Sequence, residues 1–244
     1  MTVALLPLKD LVEAKTRLSG LLRPSQRRAL AQAMAEDVLD VLADSRLVDR
    51  IVMVSDDSGA RLLAREFGAE CWPESELGCR GLNPVLGRAA QRLALTARGP
   101  VVVLHADIPL LCADDLGAVM SACADEQALV VGPDRHGTGT NMLAFDAARV
   151  PRFSFGSDSC AAHGAQAVQD GRPVCILRRP GIGLDVDEPA DLAQLLAVDA
   201  TGRGRRTLAY LNSDQLGSGL RLALGSLEVD RLFLREGEER AGLA

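Results

Sequence analysis

The chain reads as an α/β protein on a doubly wound, mostly parallel sheet with helices on both faces, and three observations lead there. Four apolar runs, VALLP (3–7), IVMVS (51–55), VVVLH (101–105) and ALVVG (128–132), are continuous rather than alternating. That is the pattern of strands buried on both faces of a parallel sheet. Between successive runs lie segments whose apolar residues recur at helical spacing, and strand-helix alternation calls for right-handed crossovers between parallel strands. Finally, 244 residues with 48% hydrophobic and 25% charged side chains suffice to bury a full core as one domain.

After the first run, Pro24 and Ser25 open a helix over SQRRALAQAMAEDVLDVLADS, where Leu30, Met34, Val38, Leu39, Val41 and Leu42 form the apolar stripe. A second helix spans 58–67 and ends at Gly68 as its C-terminal cap. The third covers about 84–97, stopped by Gly99-Pro100, and the fourth covers 113–124. Beyond Gly132 the pattern changes. GPDRHGTGTNMLAFD reads as two short strands around a Gly/Thr loop, and SFGSDSCAAHGAQAVQDG as a loop feeding a helix that ends at Gly171. Residues 174–177 make another short strand, and GLDVDEPADLAQLL a turn into a helix with Pro189 near its start. Residues 1–197 are expected to form the domain and 198–244 a C-terminal appendix. Its apolar stretches, LRLAL and VDRLFL, need burial either on the domain or between the subunits of a homodimer.

Several function classes drop out. A net charge of -6 argues against a general nucleic-acid binder, which needs surplus Lys and Arg to displace phosphate counterions. The N-terminal apolar run ends at Lys9 and Asp10, too short for a leader or a membrane span. Six scattered cysteines without a C-x-x-C pair read as reduced thiols, so a cytoplasmic location is expected. No Walker A or G-x-G-x-x-G motif stands where a strand meets a helix, against a P-loop NTPase or a dinucleotide-dependent dehydrogenase.

Ligands of an open parallel sheet bind beyond the carboxyl ends of its strands, so the residues just after each run are the candidates. After the first run come Lys9, Lys15 and Arg17, suited to gripping a triphosphate, with a solvated basic loop as the plain alternative. After the third comes Asp107, either a metal carboxylate or a turn cap. Asp185 and Asp187 are one residue apart, so in an extended segment both face one side and can share a cation with Asp107. His105 is read as a supporting residue behind Asp107, Trp72 and Pro73 as pocket lining, and Asn83 as a partner for base or ribose. The GTGTN loop offers backbone N–H groups without bulk, and Ser157 or Ser159 opening a helix suits an anion. His163, one turn into that helix, reads as structural.

In this order, PLK, AKTRL, HADIPLL, GTGTNML, FGSDSCAAH and GLDVDEPADL resemble the phospholactate guanylyltransferases of coenzyme F420 biosynthesis, a branch of the nucleotide-diphospho-sugar transferase fold, over residues 2–196. The resemblance implies transfer of GMP from GTP to a small phosphorylated carboxylate, with release of pyrophosphate. Its candidates are 2-phospho-L-lactate, phosphoenolpyruvate and 3-phospho-D-glycerate. By the same resemblance Asp107, Asp185 and Asp187 hold one or two Mg2+ ions. Leu6, Pro7, Lys9, Lys15, Arg17, Asn83 and Asp107 meet the nucleotide, with Lys9, Lys15, Arg17 and Asp107 catalytic. Thr140, Asn141, Gly156 and Ser159 form the acceptor pocket. Two other readings stay open: a molybdopterin or sugar-phosphate nucleotidyltransferase, whose G-G-x-S-x-R-x-G-x-K loop is missing here, and a nucleotide-binding module without turnover.

Overall fold

The structure is a computed structural model, and it describes residues 1–9, 11, 14–124, 128–198, 201–214 and 216–226. A seven-stranded sheet forms its centre. Strand β1 (Val3–Pro7) lies between β2 (Arg50–Val54) and β4 (Pro100–Leu104), parallel to both, and β3 (Glu70–Trp72) extends the sheet beyond β2. On the other side of β4 the order is β6 (Thr140–Asp146), β5 (Leu129–Pro133) and β7 (Val174–Ile176). The expected α/β sheet is present and mostly parallel, with β6 running against both β4 and β5.

Here the topology departs from expectation. The run at 128–132 does not pair with β4, because β6 is inserted between them. Six residues join β5 to β6, and so short a link joins antiparallel neighbours, whereas a parallel return needs a crossover of a dozen or more. The residues expected to form a short strand after the Gly/Thr loop make a seven-residue strand, buried except at Asp146.

α-Helices cover the two faces of the sheet. Odd-numbered strand residues Val3, Leu5, Val101, Val103, Leu143 and Phe145 pack with α3 (Leu82–Ala94) and α5 (Ser159–Gln169). Even-numbered Ala4, Leu6, Val102, Leu104, Met142 and Ala144 face α1 (Pro24–Asp44), α2 (Ser58–Glu66), α4 (Ala113–Ala124) and α7 (Pro189–Ala197). The four-residue α6 (Pro180–Gly183) sends Ile182 into this second layer. Helix α4 spans the residues expected of it, and α3 is displaced toward the N-terminus, with Pro84 inside its first turn. At the start of α2 the Asp57 side chain accepts from the amides of Gly59 and Ala60. Gly68 and Gly171, expected at helix ends, take left-handed conformations (φ 64° and 59°) that a side chain would strain.

Residues beyond 198 begin with α8 (Arg205–Leu211), which lies on α1. The buried carboxylate of Asp37, in α1, accepts from the amides of Arg206 and Thr207 and from the Thr207 hydroxyl, at 2.8, 2.8 and 2.6 Å. A side chain from another helix thus caps the start of α8. Leu211, Leu216, Leu220 and Leu224 enter the same core as α1, so the LRLAL stretch is buried on the domain through its first and last leucines, while Leu222 between them is exposed; VDRLFL lies outside the described residues. Asp37→Ala would leave three donors without their acceptor, at a cost of about 2 kcal/mol. A thermal melt should show Tm lower by about 4–8 °C in a chain of this size.

Candidate active site

A cleft of about 1200 Å³ opens at the carboxyl ends of β1, β2 and β4. It sits where the chain, having wound outward from β1 through β2 to β3, returns to the other side of β1 as β4. Open α/β sheets bind ligands at such reversals. Pro7, Lys9 and Lys15 line it from the first loop, Ser55 and Asp57 from the second, and His105, Asp107 and Asp187 from the far side. Leu6 is fully buried in the sheet, which leaves it only main-chain atoms to offer a ligand.

Asp107 stands three residues past the end of β4, and its carbonyl accepts the Val186 amide at 3.1 Å. That bond fastens the 185–187 segment across the cleft. Val186 is wholly buried, and alternation turns the flanking Asp185 and Asp187 away from the core. Lys15 closes the arrangement: its Nζ lies 2.6 Å from Asp107 Oδ2 and 2.6 Å from Asp187 Oδ1. Lys15 is held in a left-handed backbone conformation (φ 56°, ψ 42°), one that costs a side-chain-bearing residue about 1–2 kcal/mol and here aims the ammonium between two carboxylates. Burial would drive Lys15 toward neutrality, but Asp107 and Asp187 outweigh it and raise its pKa. Burial likewise pushes the Asp107 carboxyl up, and the Lys15 charge, with His105 adding to it, brings it below the ordinary carboxylate value. Asp185 is raised, first by burial and then by the neighbouring Asp107 charge.

This carboxylate group lacks one part of a metal shell. Among the described residues no three His, Cys, Asp or Glu side chains are arranged to hold a metal ion as they stand, and Lys15 lies between Asp107 and Asp187. Two observations nonetheless fit a hard cation. The donors are carboxylate oxygens, the ligand type Mg2+ takes, and Asp107 Oδ1 is buried without a hydrogen-bond partner, as is His105 Nε2.

The other candidates divide. Lys9 is exposed at the cleft wall. Arg17 is turned outward, 69% exposed, with Nη1 donating to Glu188 Oε1 at 3.1 Å, and it does not line the cleft. Asn83 is committed elsewhere: its Oδ1 accepts the Phe155 amide at 2.7 Å and its Nδ2 donates to the Phe155 carbonyl at 3.0 Å. It clamps the 154–158 loop to α3 rather than offering its amide to a base or ribose. Trp72 is covered by the guanidinium groups of Arg92 and Arg50, and Pro73 caps a 3-10 turn whose Glu74, but not Pro73 itself, lines the cleft. A residue that sequence reasoning missed is Arg27, which lines the cleft and donates to the carbonyls of Ala14 and Leu22, tying the lysine loop to α1. Its signal was an arginine on the same stripe as Leu30 and Met34.

Thr140, Asn141 and Ser159 are buried, and Gly156 takes φ 136°, open to glycine. His163, fully buried, joins the loops around them: its Nε2 accepts the Ser154 amide at 2.9 Å, and Nδ1 lies 3.2 Å from the Thr140 hydroxyl. A ring nitrogen that accepts carries no proton, so the ring is neutral with its hydrogen on Nδ1 facing Thr140. Burial pushes the pKa down from 6.5 to about 4. The unfolded chain therefore takes up this proton at higher pH than the folded one. The neutral ring's contribution is whole above pH 6.5 and drains as pH falls toward 4. Melts across that window should show falling Tm, and His163→Gln should flatten the dependence; an unchanged slope would contradict the assignment.

Residues 2–223 match the protein-family model described as guanylyl transferase CofC like. The phosphoenolpyruvate guanylyltransferase of Conexibacter woesei is 38% identical over 205 residues, covering 83% of this chain and 91% of the relative. That of Sphaerobacter thermophilus is 35% identical over 195 residues, covering 80% and 92%. Among solved structures, one from Desulfovibrio desulfuricans G20, named for the nucleotide-diphospho-sugar transferases, superposes with a TM-score of 0.76 at 18% identity over 91% of this chain and 97% of that one. With the fold, the cleft and the relatives in agreement, the chain belongs to the CofC-like guanylyltransferase family of nucleotidyltransferases.

Proposed function

We propose that this protein transfers GMP from GTP to the phosphate of a small phosphorylated carboxylate, releasing pyrophosphate, and that it serves coenzyme F420 biosynthesis. Phosphoenolpyruvate is the acceptor favoured by the names of its relatives. The observation that carries the reading is a buried ammonium held 2.6 Å from each of two carboxylates, in a cleft at the sheet's reversal point. Positive charge is required there, and a triphosphate with its cation would supply and use it.

An acceptor phosphate oxygen attacks the α-phosphorus in line; a P–O bond forms to the acceptor as the bond from the α-phosphorus to the bridging oxygen breaks, and pyrophosphate leaves with the electron pair. A phosphate oxygen is already ionised at neutral pH, so no general base is needed. Asp107, Asp185 and Asp187 would hold Mg2+, which when bound neutralises phosphate charge and aligns the two anions. Lys15 exchanges its carboxylate partners for phosphate oxygens, and Lys9 at the wall adds charge for the departing pyrophosphate. Thr140, Gly156 and Ser159 orient the acceptor, their loops held together by His163.

The test is pyrophosphate release with GTP, CTP, UTP or ATP against phosphoenolpyruvate, 2-phospho-L-lactate and 3-phospho-D-glycerate. Release with GTP and one acceptor, at least about tenfold above other pairings, is expected. Mg2+-dependent GTP binding with no release for any acceptor would mark a binding module instead, and release with another nucleotide would displace guanine.

A further inference from the structure

The side-chain amide nitrogen of Asn141 is spent inside the protein. Its Nδ2 donates to the Ile182 carbonyl at 2.9 Å and to Asp185 Oδ1 at 3.1 Å. An amide nitrogen has two hydrogens, and both are used. The residue is only 4% exposed, and its own carbonyl accepts the His105 amide at 3.0 Å, which anchors it to the end of β4. Ile182 is an equally firm partner. Helix α6 presses so closely on the start of α4 that a Cβ at Gly181 would collide with the Asp115 carboxylate of α4 and come 2.6 Å from the carbonyl of Leu110 in the loop before it. Arg179, just before α6, donates to Asp115 of α4 at 2.8 Å. Asn141 therefore fixes one oxygen of Asp185 against a rigid frame.

Asp185 needs such a hold, because the like charges of Asp107 and Asp187 act on it and would push a free carboxylate away. We infer that Asn141 is a positioning residue for Asp185, holding Oδ1 so that Oδ2 stays turned to the cation, and that it is not a contact for the acceptor. The inference rests on Asp185 being a metal carboxylate, as proposed above.

Two measurements on the full-length chain separate these roles: Mn2+ affinity with GTP present, by electron paramagnetic resonance, and KM against kcat for phosphoenolpyruvate. Groups that orient a metal ligand typically contribute 10–100-fold in metal affinity. Asn141→Ala should weaken Mn2+ binding by about that factor, leave the phosphoenolpyruvate KM within about twofold at saturating metal, and recover kcat as Mn2+ is raised. In a double-mutant cycle, Asn141→Ala should add nothing to the loss caused by Asp185→Asn. If Asn141→Ala does not fold, Asn141→Ser keeps a donor too short to span both partners and is expected to weaken Mn2+ binding in the same way. Unchanged Mn2+ affinity, additive losses, or a raised acceptor KM with intact metal binding would overturn the inference alone. A wild-type chain that binds GTP but no Mn2+ would overturn it together with the metal reading.

Discussion

Asp107→Ala is expected to lower kcat/KM by about a thousandfold or more while Tm moves by only a few degrees. The loss follows from position: beyond the end of β4 Asp107 pairs with Lys15, which also holds Asp187, and its second oxygen is buried without a partner. A metal carboxylate that stabilises charge on a transferring phosphoryl group is worth several kcal/mol, and each 1.36 kcal/mol is tenfold in rate. Stability should hardly change, because Lys15 retains Asp187, which is itself 44% exposed, and the ammonium can take up water from the open cleft. Asp107→Asn, which keeps the shape and removes the charge, should behave alike. Wild-type turnover in either variant would remove the carboxylate group from the mechanism.

Lys15→Met should produce two effects of opposite sign. In the nucleotide-free protein the ammonium is the counter-charge of Asp107 and Asp187. Without it the carboxylates are free to take a cation, so Mn2+ binding in the absence of GTP should tighten by about tenfold or more. Turnover should fall by at least about a hundredfold, because the group proposed to meet the triphosphate is gone. A metal titration beside a GTP titration reads both. If nucleotide-free Mn2+ affinity falls with Lys15 removed, the lysine is not a competitor for the carboxylates.

Much of this was legible in the chain because it depends on local pattern. Continuous apolar runs marked the buried strands. The strand-end position of Asp107 and the period-two spacing of Asp185 and Asp187 are local features, and the structure brings Asp107 and Asp187 to one ammonium. What escaped depends on partners remote in sequence. Asn83 finds Phe155, 72 residues away, and Arg17 finds Glu188, 171 residues away. No spacing rule announces either pairing, so both residues read as free ligands. The insertion of β6 was hidden for a related reason: TNMLAFD is buried on both faces like its parallel neighbours, and only the short link behind it betrays its direction. For residues 205–226 the sequence left open packing on the domain or pairing between subunits, because their docking depends on Asp37, an acidic residue inside the apolar pattern of α1.

The most direct measurement of the central claim is a 31P NMR time course of GTP, phosphoenolpyruvate and Mg2+ with the wild-type protein. The three GTP resonances should decline together as inorganic pyrophosphate appears, one for one with a new coupled pair of phosphorus signals from a P–O–P linkage between GMP and the acceptor. Formation of GDP with inorganic phosphate would show attack at the γ-phosphorus and would contradict that claim, as would release of pyrophosphate with GMP but no coupled pair.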